Sequence, residues 1–483
     1  MSPTLTGLLA GYPPPLDVQA RDVPPPERVL IVLDDDPTGT QSVADLPVLT
    51  NWSADALAWG LRQGCPAVYV MTNSRSLDPA EAEQRNREVA EAAYTAAERT
   101  GLAIDFVSRS DSTLRGHFPL EPLTLAETVR QREGIAIDGV VIVPAFGDAG
   151  RITVGGMHYA RTPDGGYLPV GESEFARDAT FGYHSSRLAD WVAERSQGRW
   201  TAADVLQIGL TQLRTDPDAV VALLRRANSV QPIVADIVDE CDLRQLAIAL
   251  ARAEAAGSRF LYRVGPPFPR ARIGQDVRAP LESQDVADLV AAGPARDAVG
   301  GLIVVGSHVD LTTRQLTELR RRSAPAEVVI DVPQVLSPSR DAHLDAVVAA
   351  ALRHLPQGNV VISTSRNLVT GADAGDSLRL SRAVSAAVVE VVQRVLASCT
   401  PRFVVAKGGI TSSDVASRGL GITRAFVRGP MLPGIVSLWE PMDGPARGIS
   451  YVVFAGNVGD AASLADVVTK LSAHPTQHEG ATT

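Results

Sequence analysis

The stretch from Val29 to Gln41, VLIVLDDDPTGTQ, joins an apolar β-branched run to three carboxylates, a proline and a Thr-Gly turn. Such a run reads as a strand buried on both faces. The acids then fall at its carboxyl end. In open α/β sheets ligands bind at that edge, because loops outside the strand ends present side chains without disturbing the core. Three adjacent carboxylates repel one another, so Asp34, Asp35 and Asp36 suit proton transfer, cation binding or the holding of sugar hydroxyls better than they suit stabilising a fold. A solvated acidic turn capping the next helix is the competing reading of the same residues.

Outward from this strand, β-branched runs recur at 67–72 (AVYVMT), 103–107 (AIDFV), 140–144 (VVIVP) and 233–238 (IVADIV), with helical patterns between them. That alternation predicts a mainly parallel sheet with crossover helices. Pro79 to Thr100, rich in Ala and Glu after an Asp-Pro, reads as one of those helices. Between Gly147 and Tyr183 the pattern lapses into Gly, Pro and acidic residues, as expected of a functional loop or lid. A second series of runs follows at 302–307 (LIVVGS), 328–332 (VVIDV), 359–364 (NVVIST), 403–409 (FVVAKGG) and 451–456 (YVVFAG). Val384, Val388, Val391, Val392 and Val395 recur at spacings of 3 and 4, the apolar face of a helix over 381–396. The expected fold class is α/β in two domains, each with a mainly parallel sheet flanked by helices. The expected division is an amino-terminal arm over 1–27, a first domain over 28–265, a linker or hinge over 266–299, a second domain over 300–472 and a tail over 473–483.

The 483 residues are 45% apolar and 21% charged, the composition of globular domains. A net charge of -10 and a pI near 5.4 argue against nucleic acid or an anionic membrane as partner. Cys65, Cys241 and Cys399 have neither disulfide-framework nor zinc-site spacing, so a reducing, cytoplasmic setting is expected. The arm, broken by prolines at 13–15 and 24–26, reads as mobile or surface-hugging rather than as a signal peptide. No apolar run approaches the roughly 18 residues of a spanning helix.

Three further strand ends of the first domain carry polar clusters: Asn73-Ser74-Arg75, Ser108 to Gly116, and Ala145 to Arg151. In a parallel sheet these meet the acidic turn in one crevice. Guanidinium forks grip a carboxylate and Asp side chains accept from hydroxyls, so Arg75, Arg109, Arg115 and Arg151 with these acids suit a small polyhydroxylated acid. For any one of these arginines a surface ion pair is the better reading; four at successive strand ends weigh against it. His117 and His158, near the clusters, read first as hydrogen-bonded structural residues. The second domain ends its strands in glycines instead: Gly306-Ser307, Lys407-Gly408-Gly409, and Gly456-Asn457-Val458-Gly459, with Pro433-Gly434 between. Glycines let backbone N–H groups approach phosphates closely, although each pair alone is equally explained by a tight turn. The chain has no GxxxxGK[ST], GxGxxG after a strand, HExxH or GxSxG.

Taken in order, DDDPTGTQ, DSTLRG (111–116), PAFGDAGR (144–151), GS (306–307), KGG (407–409), PG (433–434) and GNVGD (456–460) resemble the four-carbon acid sugar kinases, a family that includes D-threonate, D-erythronate and 3-oxo-tetronate kinases. The resemblance runs from about Val29 to Val468. It implies an amino-terminal domain binding the sugar acid, a carboxyl-terminal domain binding ATP, and phosphoryl transfer across the cleft between them with Mg²⁺. Carried residue by residue, it makes Asp35 and Asp36 catalytic and substrate-binding, with Arg75, Arg109, Asp111, Ser112, Thr113, Arg115 and Arg151 as further substrate contacts. Ser307, Lys407, Gly408, Gly409, Gly434, Gly456, Asn457, Val458 and Gly459 become ATP contacts, with the metal ligands left open. A homo-oligomer fits as well as a monomer. Ile410 replaces an acid that commonly follows the Gly-Gly, so a contact made by that acid is lost or passes to Asp414. The third acid, Asp34, and the PTGTQ ending also depart from the usual element. A sugar-acid oxidoreductase using NAD(P), or a non-catalytic sugar-acid sensor, are the rival readings; the missing GxGxxG weighs against the first.

Overall fold

The computed structural model describes residues 2–36, 38–307, 309–365 and 374–474. The chain divides into two compact units, Met1–Arg278 and Ala279–Thr483. In chain order the first unit holds β1 (Val29–Asp34), β2 (Leu46–Leu49), β3 (Ala67–Met71), β4 (Ile104–Arg109), β5 (Gly139–Val143), β6 (Arg151–Val154), β7 (Met157–Arg161), β8 (Tyr167–Pro169), β9 (Leu206–Ile208), β10 (Gln231–Ala235) and β11 (Phe260–Val264). Eight of these form one sheet in the order β2-β3-β1-β4-β11-β5-β10-β9, and every pairing in it is parallel.

Leu30 to Leu33 are at most 2% exposed, which places β1 inside the sheet with both faces covered, as its unbroken apolar run requires. The helix Pro79–Thr100 has the bounds its sequence signals. Asp78 accepts from the Glu81 N–H at the start, Pro79 opens the first turn, and Gly101 ends the helix at φ 69°. Its Val89, Ala90 and Ala93 join Ile31, Leu33, Val70 and Phe106 in one apolar cluster.

Several features depart from the sequence reading. The 147–183 tract, expected as a loop, folds into the antiparallel sheet β6-β7-β8. Gly155 and Gly156, at φ 60° and 75°, make the two-residue hairpin turn that only residues free of a Cβ take readily. The strand β11, absent from the expected set, lies between β4 and β5. The first residues hug the surface of the unit: Tyr167 N–H donates to the Pro3 carbonyl (2.9 Å), Arg214 to Pro13 (2.7 Å) and Arg244 to Val18 (3.0 Å). The 266–299 stretch holds the helix Pro267–Arg272, all buried, and the helix Ser283–Ala292.

The second unit holds β12 (Leu302–Val305), β13 (Ala326–Ile330), β14 (Val360–Thr364), β15 (Phe403–Lys407), β16 (Arg424–Leu432), β17 (Ile435–Pro441) and β18 (Ser450–Phe454). Their order is β13-β14-β12-β15-β18-β17-β16. The first five are parallel and β17 and β16 are added antiparallel. The helix Ala374–Ser398 buries Val388, Val391, Val392 and Val395, the face its spacing predicts. Among the described residues no helix is long and apolar enough to cross a membrane.

Candidate active site

Neighbouring strands of the first unit end level with the acidic turn. The register sets Asp34 beside Met71 of β3 and Arg109 of β4, and Arg109 beside Val264 of β11. Asp34, fully buried, is ion-paired with the Arg109 guanidinium, and Gly39 passes so close that a Cβ there would collide with both. Arg109 also donates to the carbonyls of Asp36 (2.8 Å) and Ser110 (3.2 Å). Expected from sequence as a substrate contact, Arg109 is turned inward as a clamp on the acidic turn, because the register leaves Asp34 as its neighbour.

Asp35 is 3% exposed, and neither of its oxygens has a hydrogen-bond partner among the described residues. Burial pushes its carboxyl up to about 7; Arg75 and Arg263 pull it down, and Glu121 and Asp36 push it further up. Asp36, with its side chain one-fifth exposed, pairs with Arg75 and accepts from the Thr38 hydroxyl and N–H. Arg75 reaches on to Asp111 (3.5 Å), which also accepts from Arg115 Nε (2.7 Å) and the Thr113 hydroxyl. Burial raises the Asp111 carboxyl, but Arg75 and Arg115 outweigh it and hold the group well below the usual carboxylate range.

Ser112 and Thr113 are buried, and their backbones pin the 111–116 turn: the Ser112 carbonyl accepts from His158 Nε2 (2.8 Å) and the Thr113 carbonyl from the Tyr183 hydroxyl (2.7 Å). Burial pushes His158 down to about 4, so it is neutral at pH 7 and structural. His117 Nε2 lies 3.1 Å from the carbonyls of both Ser74 and Leu77, which is again a structural role. Arg115 and Arg151 flank the Phe175 ring, each guanidinium carbon 5.4 Å from its centroid. Arg151 donates to the Ala149 carbonyl (2.6 Å), and its buried Nε has no partner among the described residues.

In the second unit β12, β15 and β18 run parallel and lead into Gly306, Gly408 and Gly456 at one sheet edge. A Cβ on Gly306 would collide with Thr411 Oγ1, and one on Gly456 would stand 2.7 Å from Ser307 Oγ. Gly408, at φ 124°, lies in the region that favours glycine. The turns therefore meet at Ser307 and Thr411 with no room for side chains. Thr312 donates to Ser307 Oγ (3.0 Å), and Gln315 Nε2 donates to the carbonyls of Val458 (3.1 Å) and Asp460 (2.7 Å), which fixes the loop carrying Asn457, Val458 and Gly459. The Ser437–Val453 register brings the Pro433-Gly434 turn to the same edge. Lys407 is fully buried over the Phe454 ring, donating to the carbonyls of Ala455 (2.7 Å) and Gly456 (3.2 Å), and burial pushes its ammonium down to about 7. Gly409 opens a short helix in which Ile410 is 64% exposed, and Asp414 is engaged by the Ser385 hydroxyl and stands 3.8 Å from Arg418.

Residues 30–272 match the family model of a sugar-binding N-terminal domain, and residues 302–464 that of a nucleotide-binding C-terminal domain. The D-erythronate kinase of Heliobacterium modesticaldum is 27% identical over 336 residues, 68% of this chain and 67% of that protein. The chain belongs to the four-carbon acid sugar kinase family. It is an enzyme of the phosphotransferase class with a hydroxyl as acceptor. The 3-oxo-isoapionate kinase of Paraburkholderia graminis is 35% identical over 35% of this chain and 38% of its own. For the D-threonate kinase of Salmonella typhimurium the figures are 29% identity and 53% of each chain. Two crystal structures share the fold: a protein from Salmonella typhimurium LT2 (TM-score 0.63, 18% identity) and Haemophilus influenzae protein HI1011 (TM-score 0.60, 17% identity), each match covering 91% of this chain and 98% of the other.

Sequence reasoning missed two charged residues of this candidate site. Arg263, on β11, and Glu121, in the first turn of the helix Leu120–Glu133, form an ion pair with both side chains 3% exposed. An arginine inside the apolar run FLYRV, one residue before the strand ends, is the signal that marks Arg263. Gly116 joins this pair to the acidic turn: at φ 121°, a Cβ there would stand 2.7 Å from Arg263 Nη2 and 3.1 Å from Asp35 Oδ2. Gly116→Ala is therefore expected to cost about 1–3 kcal/mol in backbone strain and crowding. Urea unfolding midpoints of the two proteins measure it.

Proposed function

We propose that the enzyme transfers the γ-phosphoryl group of ATP to a hydroxyl of a four-carbon sugar acid, with Asp35 as general base. The carboxyl of Asp35, buried without a donor at the carboxyl edge of the sheet, carries this reading. As the hydroxyl oxygen bonds to the γ-phosphorus, its proton passes to Asp35, the bond from phosphorus to the β–γ bridging oxygen breaks, and ADP leaves. Asp36 serves less well as the base because Arg75 and Thr38 already hold it. Arg151 and Arg115, braced on Phe175, suit the substrate carboxylate, while Arg75 and Asp111 suit its hydroxyls. Both Asp35 oxygens are shielded from water.

The glycine turns packed around Ser307 and Thr411 suit a polyphosphate, since backbone N–H groups at such strand-end turns can hold phosphate oxygens. Among the described residues no three His, Cys, Asp or Glu side chains cluster to hold a metal. Mg²⁺ commonly needs only one or two carboxylates beside the phosphates, and it supplies neutralisation of charge on them. The three free cysteines accord with a cytoplasmic setting.

General-base catalysis needs ionised Asp35, so kcat/KM is expected to rise tenfold per pH unit below a midpoint near 7 and to level off above it. A profile flat between about pH 5.5 and 8.5, measured where chemistry limits the rate, rules Asp35 out as the base.

A further inference from the structure

Asp35 sits among fixed charges from every neighbouring element: Asp34 and Asp36 on its own turn, Arg75 after β3, Arg109 on β4, Arg263 on β11 and Glu121 on the helix Leu120–Glu133. Arg109 pairs with Asp34 and stands 3.5 Å from Asp35 Oδ1, and Arg75 pairs with Asp36. Arg263 and Glu121 are different in kind, since nothing in the proposed substrate contacts uses them, yet they form a closed buried unit. Arg263 Nη1 donates to Glu121 and to Ser108 Oγ (2.7 Å). Glu121 also accepts from the Ser74 hydroxyl and from Asn86 Nδ2 (3.3 Å). Their own ion pair and three hydrogen bonds, one each from β4, the turn after β3 and the helix Pro79–Thr100, thus hold two opposite charges at fixed positions behind the base. A Cβ on Gly116 would stand 2.7 Å from Arg263 Nη2 and 3.1 Å from Asp35 Oδ2, so both groups lie against the same glycine.

We propose that the buried Arg263–Glu121 pair is a positioning unit for Asp35, and that its two charges set, with opposite signs, the pH at which the enzyme gains activity. A cation beside a carboxylate favours ionisation and an anion opposes it, and burial weakens the screening of both. Arg263 lowers the proton affinity of Asp35 and Glu121 raises it. Neutralising Glu121 leaves Arg263 unopposed and brings activity to lower pH; neutralising Arg263 does the reverse. The inference rests on Asp35 being the base.

The test is the pH profile of kcat/KM for wild type, Glu121→Gln, Arg263→Gln and the double variant, with circular dichroism to establish folding. The midpoint is expected to fall in Glu121→Gln and to rise in Arg263→Gln, each by about one pH unit, and to return towards wild type in the double variant. KM well above the midpoint stays near wild type. Because Arg263→Gln leaves Glu121 buried and unpaired, Arg263→Lys is the second variant, and it is expected to keep the wild-type midpoint. Midpoints that do not move, or that move in the same direction in both single variants, overturn the proposal. Asp35→Asn separates the two levels: full turnover in that variant sinks the base itself, whereas an inert Asp35→Asn beside unmoved midpoints sinks only the positioning role.

Discussion

Asp35→Asn is expected to lower kcat by about 10²–10⁴ and to make the protein more stable than wild type, by a small margin at pH 5 and a larger one at pH 8. The first effect removes the proton acceptor while keeping shape and volume. The second follows from linkage. The Asp35 carboxyl stands at about 7 when folded, against an ordinary 3.8, because burial penalises its charged form. A raised carboxyl binds its proton more tightly in the folded state, so the stability it contributes is complete below about pH 4 and is lost as pH rises to 7. At 1.36 kcal/mol per unit the loss approaches an upper bound of about 4 kcal/mol. Asparagine carries no charge and escapes that loss. Thermal melts of both proteins at pH 5 and 8, alongside turnover, check both effects; near-wild-type turnover contradicts the role given to Asp35.

Arg109→Met is expected to act through stability instead. Asp34 is fully buried and Arg109 is its ion-pair partner, so removing the guanidinium strands a charge inside the sheet edge, at a cost of about 3–5 kcal/mol. Asp34→Leu in the same chain should restore part of that loss, because replacing both partners by apolar groups removes the stranded charge. Urea unfolding at pH 7 reads both variants. An Arg109→Met protein of normal stability whose only change is a raised KM identifies Arg109 as a ligand contact and removes the clamp.

The contrast between these two aspartates shows what the sequence could carry. The DDD turn lies at the strand end because VLIVL can only be a covered strand, and the helix Pro79–Thr100 is legible because Asp78 and Gly101 mark its ends. Which of three adjacent acids is clamped, paired or left without a donor depends on the register that sets Asp34 against Arg109, which no local pattern encodes. Arg109, Arg115 and Arg151 look alike in sequence; burial and the Phe175 ring separate them. β11 escaped because Arg263 interrupts its apolar run, and β16 because RAFVRGPML carries two arginines and a Gly-Pro, which read as loop. Glu121 was hidden for the opposite reason, since an acid in the first turn of a helix is ordinary at the surface.

The most direct measurement is ATP consumption with Mg²⁺ against D- and L-threonate, D- and L-erythronate and their 3-oxo and 2-oxo forms, with the phosphorylated acid followed by mass spectrometry. One of these acids is expected to be phosphorylated, one ADP appearing per phosphate transferred. No transfer to any of them, with ATP binding still detected by calorimetry, contradicts the assignment of a four-carbon acid to the cluster of Asp35, Arg75, Arg115 and Arg151.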